Sequence, residues 1–290
     1  YRHSGPVFAD MDGDGDLDLF LGGIENDPSL IFSNNGDGTF IDVTEGSGIE
    51  SLTALHTLSA AFGDYDLDGD LDMFMSHWGS PRDYNYPGDT EHLWRNETEN
   101  GQLRLRSLSE VGGISPSIFT INDSLARQKI RDWTFTPTFA DINNDGWPDI
   151  TVVADFNFTQ FFINDQDGTF TNASDPDVLI DGNGMGSALG DYDNDGDLDW
   201  FVSSILATSN TSNSTPTPLS QLGNRLYRNM GGVFEDYSDA TRVQDGGWGW
   251  GSCFMDFNND GRLDIYQTNG WPHLSEFGGF PFDSSRAFVQ

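Results

Sequence analysis

Asp10–Asp18 reads DMDGDGDLD, and the same frame returns at Asp64–Asp72 (DYDLDGDLD), Asp141–Asp149 (DINNDGWPD), Asp191–Asp199 (DYDNDGDLD) and Asp256–Asp264 (DFNNDGRLD). The shared pattern is D-x-[DN]-x-D-G-x-x-D. Five copies in 290 residues mark the chain as a repeat protein. The flanks repeat with it. Short segments of small or apolar residues (PVFA, SAAFG, PTFA, SALG, GSCFM) precede the loops, and LDLFL, LDMFM, PDITVV, LDWFV and LDIYQ follow them. The latter are rich in β-branched and aromatic residues over about five positions, as buried or half-buried strands are. Further on, SLIFSNNGDGTFIDVT, QFFINDQDGTFTNAS and NRLYRNMGGVFEDYS place Gly-containing turns between two more apolar runs, a hairpin signal; HLWRNETENGQLRL is a looser version. Each unit therefore reads as four short antiparallel strands with the acidic loop between the first and second. The expected fold is all-β, a β-propeller of four-stranded blades.

The loops explain much of the composition. They contain 21 of the 47 acidic residues, against 13 basic ones, in a chain of formal net charge −34. This balance excludes nucleic acid and anionic membrane surfaces as partners. With 22 Phe, 8 Tyr and 8 Trp the chain is too aromatic for a solvated acidic tail. A single cysteine, Cys253, leaves no disulfide framework and no Cys-based zinc site. No apolar run is long enough to span a membrane. Tyr1 is not an initiator Met, so the chain reads as a mature product or a fragment.

Crowded carboxylates at this spacing call for a hard cation. The candidate ligands are Asp10, Asp12, Asp14, Asp16 and Asp18; Asp64, Asp66, Asp68, Asp70 and Asp72; Asp141, Asn143, Asp145, Trp147 and Asp149; Asp191, Asp193, Asp195, Asp197 and Asp199; and Asp256, Asn258, Asp260, Arg262 and Asp264. The sixth position is glycine every time, which permits a sharp bend. The seventh varies (Asp16, Asp70, Trp147, Asp197, Arg262), as a backbone-carbonyl ligand can. An all-oxygen set points to Ca²⁺, with about five structural sites. An EF-hand is rejected because its twelfth-position Glu is Leu21, Met75, Val152, Val202 or Gln267 here. Dockerin-like and thrombospondin-type calcium arrays need flanking helices or many cysteines. Asn143 and Asn258 lower the charge of the third and fifth loops, where weaker affinity is expected.

These residues resemble the FG-GAP/VCBS repeats of integrin alpha-type β-propellers over almost the whole chain. In that family the calcium loop joins the first two strands of a blade. The runs NGMGSALGDYDNDGDLDWFV, GNRLYRN and GGWGWGSCFMDFNNDGRLDIYQTNGW are similar to the bacterial cartilage acidic protein-like family, which carries an ASPIC/UnbV domain after the propeller. The resemblance implies a seven-bladed ring, of which this chain supplies a portion of about five blades; closure as a small five-bladed ring is the alternative. A single propeller region over 1–290 is expected, with approximate blades 1–47, 48–112, 113–177, 178–243 and 244–290, the last truncated.

Other features carry less. Trp248, Trp250 and Trp271 fit either carbohydrate stacking or blade packing, the latter favoured. The five histidines do not pair at ligand spacing. Residues Asp123–Asp132 suggest one short helix, and Ser203–Leu222 a polar loop. Six N-x-S/T sequons include Asn96. No nucleophile elbow, phosphate loop or zinc signature exists. The expected function is an extracellular calcium-binding module for a protein or glycan ligand, secreted, cell-surface or periplasmic. The alternative is a carbohydrate-active enzyme on the same fold, a polysaccharide lyase or glycoside hydrolase.

Overall fold

The computed structural model describes residues 2–52, 54–79, 92–108, 111–114, 132–206, 221–270 and 283–290. Five antiparallel sheets follow one another along the chain. The first contains β1 (His3–Ala9), β2 (Asp18–Gly23), β3 (Leu30–Asn34) and β4 (Phe40–Asp42). The second contains β5 (Ser59–Gly63), β6 (Asp72–Ser76), β7 (Leu93–Asn96) and β8 (Leu105–Ser107). The third runs through β9 (Thr134–Ala140), β10 (Asp149–Ala154), β11 (Gln160–Asn164) and β12 (Phe170–Asn172). The fourth has β13 (Gly186–Gly190), β14 (Asp199–Ser203), β15 (Arg225–Asn229) and β16 (Phe234–Asp236). The fifth has three strands, β17 (Gly249–Met255), β18 (Asp264–Asn269) and β19 (Arg286–Phe288). Strand order in every sheet is chain order, the meander of a propeller blade.

The fold is thus all-β and of the propeller class, as its sequence implies. The one α-helix among the described residues is a single turn, α1 (Ser238–Thr241). All of the helix expected at Asp123–Asp132 except Asp132 itself, and most of the Ser203–Leu222 loop, lie outside the described residues, as do Trp271 and His273.

Two compact units divide the chain: 1–141 with 146–152 and 161–173, and 142–145 with 153–160 and 174–290. In the first unit, Phe20, Ile31, Met73, Met75 and Trp94 form one buried cluster, and Tyr65, Phe74, Leu93, Ile150, Val152 and Phe162 form the next. In the second unit, Ala188, Tyr192, Phe201, Leu226, Val243 and Ile265 do the same. The second strands β6, β10 and β14 are buried at every residue, and β6 places Met73 and Met75 in one cluster and Phe74 in the next. The fourth strand ends in exposed residues, as β8 and β16 show. This gradient explains why the second strands read as near-continuous apolar runs while the fourth strands are weak signals.

Adjacent first strands approach closely at glycines. A Cβ on Gly63 would meet the Phe139 side chain at 2.7 Å, and one on Gly190 would meet Phe254 at 2.9 Å. Hydroxyls at the ends of second strands tie the same joints: Ser76 Oγ donates to the Phe135 carbonyl at 2.7 Å, and Ser203 Oγ to that of Trp250. Gly63→Ala and Gly190→Ala should each destabilise the chain by about 1–3 kcal/mol through overpacking, read as a lowered urea midpoint at unchanged slope.

Candidate metal centres

All five acidic loops adopt one backbone path. The sixth-position glycines have φ between +86° and +100° (Gly15, Gly69, Gly146, Gly196, Gly261). The fourth position is left-handed as well: Gly13, Leu67, Asn144, Asn194 and Asn259, with φ from +57° to +75°. Gly and Asn tolerate that region, whereas Leu does not. Leu67 is half exposed, so no burial offsets its strain.

The first-position Asp organises the turn. Its Oδ2 accepts the N–H of the sixth-position glycine at 2.9–3.1 Å in all five loops. Its Oδ1 accepts the fifth-position N–H at 3.0–3.1 Å in loops one, two, four and five. The fifth-position Oδ1 in the same four loops accepts the seventh-position N–H.

The ninth-position Asp closes the loop from inside. Asp18, Asp72, Asp149, Asp199 and Asp264 are 0–1% exposed. Their Oδ1 atoms accept N–H groups from the end of the third strand, or just past it: Asn34, Asn96, Asn164, Asn229 and Gln290, at 2.8–2.9 Å. Their Oδ2 atoms accept the second-position N–H in four loops, from Met11, Tyr65, Tyr192 and Phe257.

Sequence reasoning missed the third-strand Asn. In the first unit, Asn96 Nδ2 donates to the Met11 carbonyl at 2.8 Å, and Asn164 Nδ2 to that of Tyr65 at 2.8 Å. Within the second unit, Asn229 Nδ2 donates to the Ile142 carbonyl at 2.7 Å. Each of these amides reaches the second position of the preceding acidic loop, so the loops are joints between repeats. The signal was present as IFSN, LWRN, FFIN and LYRN, an Asn ending each apolar run. It also takes Asn96 out of consideration as a glycan acceptor, since its amide is 2% exposed and committed.

The structure brings the first, third and ninth carboxylates together in three loops. One oxygen from each of Asp10, Asp12 and Asp18 lies within 4.8 Å of the others, and the same holds for Asp64, Asp66 and Asp72 and for Asp191, Asp193 and Asp199. Asp66 Oδ1 and Asp193 Oδ1 are buried without a hydrogen-bond partner. A buried, unpaired carboxylate oxygen in an all-oxygen cluster fits a hard divalent cation. In loops three and five the third position is an amide instead, and Asn143 Nδ2 and Asn258 Nδ2 donate to Asp145 Oδ2 and Asp260 Oδ2 at 3.0 and 2.9 Å.

The seventh side chains differ from loop to loop. Asp197 accepts from Asn144 Nδ2 at 2.7 Å and from the Gly231 N–H at 3.0 Å, while Asp16 lies over Gly36. Asp70 lines a cleft of about 500 Å³ with Asp68, Arg95, Glu97, Glu99 and Arg104. Trp147 is half-buried and Arg262 is exposed.

A second polar cluster lies in the first unit and was not foreseen. The His77 and His92 rings lie 4.8 Å apart, tilted by 33°, and both are fully buried. His92 Nε2 is 2.9 Å from Asp132 Oδ2, and Nδ1 is 2.5 Å from the Met75 carbonyl. Thr134 Oγ1 donates to Asp132 Oδ1 at 2.7 Å. Sequence spacing hid this group because its members are separated by 15 to 40 residues and only the meander brings them together. Beside it stand the half-buried rings of Trp78, Trp133 and Phe135. Trp248 and Trp250 occupy the same places relative to their loop as Trp133 and Phe135 do, and stack at 6.3 Å.

Burial raises the Asp72 carboxyl to about 8 and that of Asp199 to about 6, with backbone N–H groups pulling the other way. Without metal, the folded chain then holds more protons than the unfolded one between about pH 4 and 8, and these groups' contribution is lost as pH rises. A cation binds the deprotonated carboxylates, so its uptake releases protons. The rise in Tm on adding a divalent cation should therefore be larger at pH 8 than at pH 5.5. Separately, Leu67→Asn should stabilise the chain by about 1 kcal/mol by removing the left-handed strain, visible as a raised Tm with or without metal.

The model of the family described as FG-GAP-like repeat matches residues 5–75, 141–202 and 205–266. Cartilage acidic protein 1 of Xenopus tropicalis is 28% identical over 181 residues, covering 62% of this chain and 25% of that protein. Cartilage acidic protein 1 of Homo sapiens is 26% identical over 247 residues, 85% of this chain and 25% of the relative. The chain thus spans about a quarter of the length of these curated relatives. Among solved structures, an Agrocybe aegerita lectin described by its specific recognition of non-reducing terminal N-acetylglucosamine aligns with a TM-score of 0.49 at 18% identity, over 98% of this chain and 66% of that one. The rhamnogalacturonan lyase of Bacillus licheniformis aligns with a TM-score of 0.46 at 13% identity, over 92% and 46%. With the family match extending over more than half of its residues, the chain belongs to the FG-GAP-like repeat family.

Proposed function

We propose that this chain is part of an extracellular, calcium-stabilised binding module that presents loops to a protein or glycan ligand without catalysing a reaction on it. The observation that carries the reading is the repeated triad of first, third and ninth carboxylates with unpaired buried oxygens at Asp66 and Asp193. Calcium would be held by those three carboxylates in loops one, two and four, and more weakly in loops three and five, where Asn143 and Asn258 replace a charge. Its role is structural: it neutralises the acidic turn and pins the first two strands of a blade to the third. Sites of this kind suit a compartment with millimolar calcium, outside the cell or in the periplasm. The relatives are named for cartilage, a tissue rich in extracellular matrix, which agrees with that placement.

The ligand would be met at the end of the blades where the first strands begin, opposite the acidic loops. In the first unit Trp133 precedes β9 and Phe135 lies at its start, and in the second unit Trp248 and Trp250 stand in the same way at the start of β17, each pair with half-buried rings suited to a sugar face or an apolar side chain. The remaining negative charge would repel anionic ligands.

Melting the chain in chelator and again in millimolar calcium tests the structural role. Calcium should raise Tm markedly, and Asp10→Ala, Asp64→Ala and Asp191→Ala should each remove part of that rise. An identical melt in both buffers would contradict the proposal, and turnover on a polysaccharide panel would favour an enzyme instead.

A further inference from the structure

The residue preceding the third-strand Asn or Gln holds one register in all five blades, because the next N–H always meets the ninth-position Asp. It is Ser33, Arg95, Ile163, Arg228 and Val289. Its identity follows the loop it faces. In loop two, Arg95 Nη2 lies 2.7 Å from Asp66 Oδ2 and 3.0 Å from Asp68 Oδ2. In loop four, Arg228 Nε lies 2.7 Å from Asp193 Oδ2, and Nη2 lies 2.9 Å from Asp195 Oδ2. One guanidinium thus clamps the third and fifth carboxylates by their Oδ2 atoms and leaves the third-position Oδ1 buried and unpaired.

Loops three and five make the same third-to-fifth bridge with their own Asn amides, and their third-strand residue is aliphatic. Loop one makes neither. Ser33 Oγ donates to Asp12 Oδ2 at 3.2 Å, and among the described residues no cation joins Asp12 to Asp14. Asp12 is half-buried beside Asp18 and Asp14, both of which repel its charge. Loops one, two and four therefore share five carboxylates each but differ by one fixed positive charge.

We propose that Arg95 and Arg228 are tethered counter-ions that hold loops two and four in shape without metal and lower their demand for a divalent cation, so that loop one is the loop whose order depends most on calcium. This rests on the calcium reading above. The guanidinium lies on the outer oxygens and does not occupy the inner ones. It pre-orders the ligands, yet its charge opposes that of a cation placed on the inner side.

The test uses the full chain, stripped of metal, with calorimetric calcium titration and melts in chelator and in calcium. Arg95→Gln with Arg228→Gln should lower the metal-free Tm, enlarge the calcium-induced rise and tighten two calcium sites by about fivefold. The Lys pair at the same positions keeps the charge and should return most of the metal-free Tm. Ser33→Arg should do the opposite in loop one: raise the metal-free Tm, shrink the calcium-induced rise and weaken one site, identified as the one removed by Asp12→Ala. An unchanged metal-free Tm in the Gln pair, looser calcium binding in it, or a calcium response untouched by Ser33→Arg would overturn the proposal. Should the parent chain take up no calcium at all, the calcium reading fails and the grading of the loops by calcium demand is overturned with it. The counter-ion role of the arginines is then judged on the metal-free melts alone. It stands if the Gln pair lowers Tm and Ser33→Arg raises it, and it falls if neither moves.

Discussion

A carboxylate placed out of water needs its hydrogen bonds supplied by the protein, and the ninth-position Asp of loops one, two, four and five obtains them from two directions. One N–H comes from the start of its own loop and one from the end of the third strand. The same side chain therefore closes the turn and fixes the register of three strands. Replacing it by an apolar residue would leave two buried N–H groups unpaired, each a cost of about 1–3 kcal/mol. The Asn side chain at the end of the third strand extends the arrangement by one repeat, because its amide reaches the preceding loop.

The apolar layers depend on that register. With the strand pairing fixed, β6, β10 and β14 are buried throughout, and a slip of one residue would turn Phe74, Val152 or Phe201 away from their clusters. The close approach at Gly63 and Gly190 is a further consequence, since first strands this near leave no room for a Cβ. The acidic loops are exposed at the fourth to sixth positions, while the third and seventh are half-buried in loops one to four. Among the described residues the charge there is bridged by Arg95 and Arg228 in loops two and four, relieved by Asn143 and Asn258 in loops three and five, and left unbridged in loop one.

The repeat frame, the strand order and the position of the loops were legible because each rests on local chemistry: an invariant Gly, a Gly-containing hairpin turn and a run of β-branched and aromatic residues. The ligand positions were legible as a set, but not their division of labour. Position one is spent largely on backbone N–H groups, and position five faces arginine in loops two and four. That distinction depends on Arg95 and Arg228, which lie about 30 residues away and read as ordinary strand residues in LWRN and RLYRN. The left-handed fourth position was hidden by Leu67, which breaks the Gly/Asn preference of the other loops. The His77–His92–Asp132 cluster could not be read at all, since nothing local marks a histidine for burial against a distant carboxylate.

In the proposed function the buried carboxylates form the inner wall of a cation site and tie three strands together. Residue-resolved amide hydrogen exchange of the stripped chain, with and without saturating calcium, addresses it directly. Calcium should slow exchange at Gly15, Gly69 and Gly196, and at Met11, Tyr65 and Tyr192, far more than at the amides of β4, β8 and β16. Unchanged exchange at those six amides in saturating calcium would contradict the account.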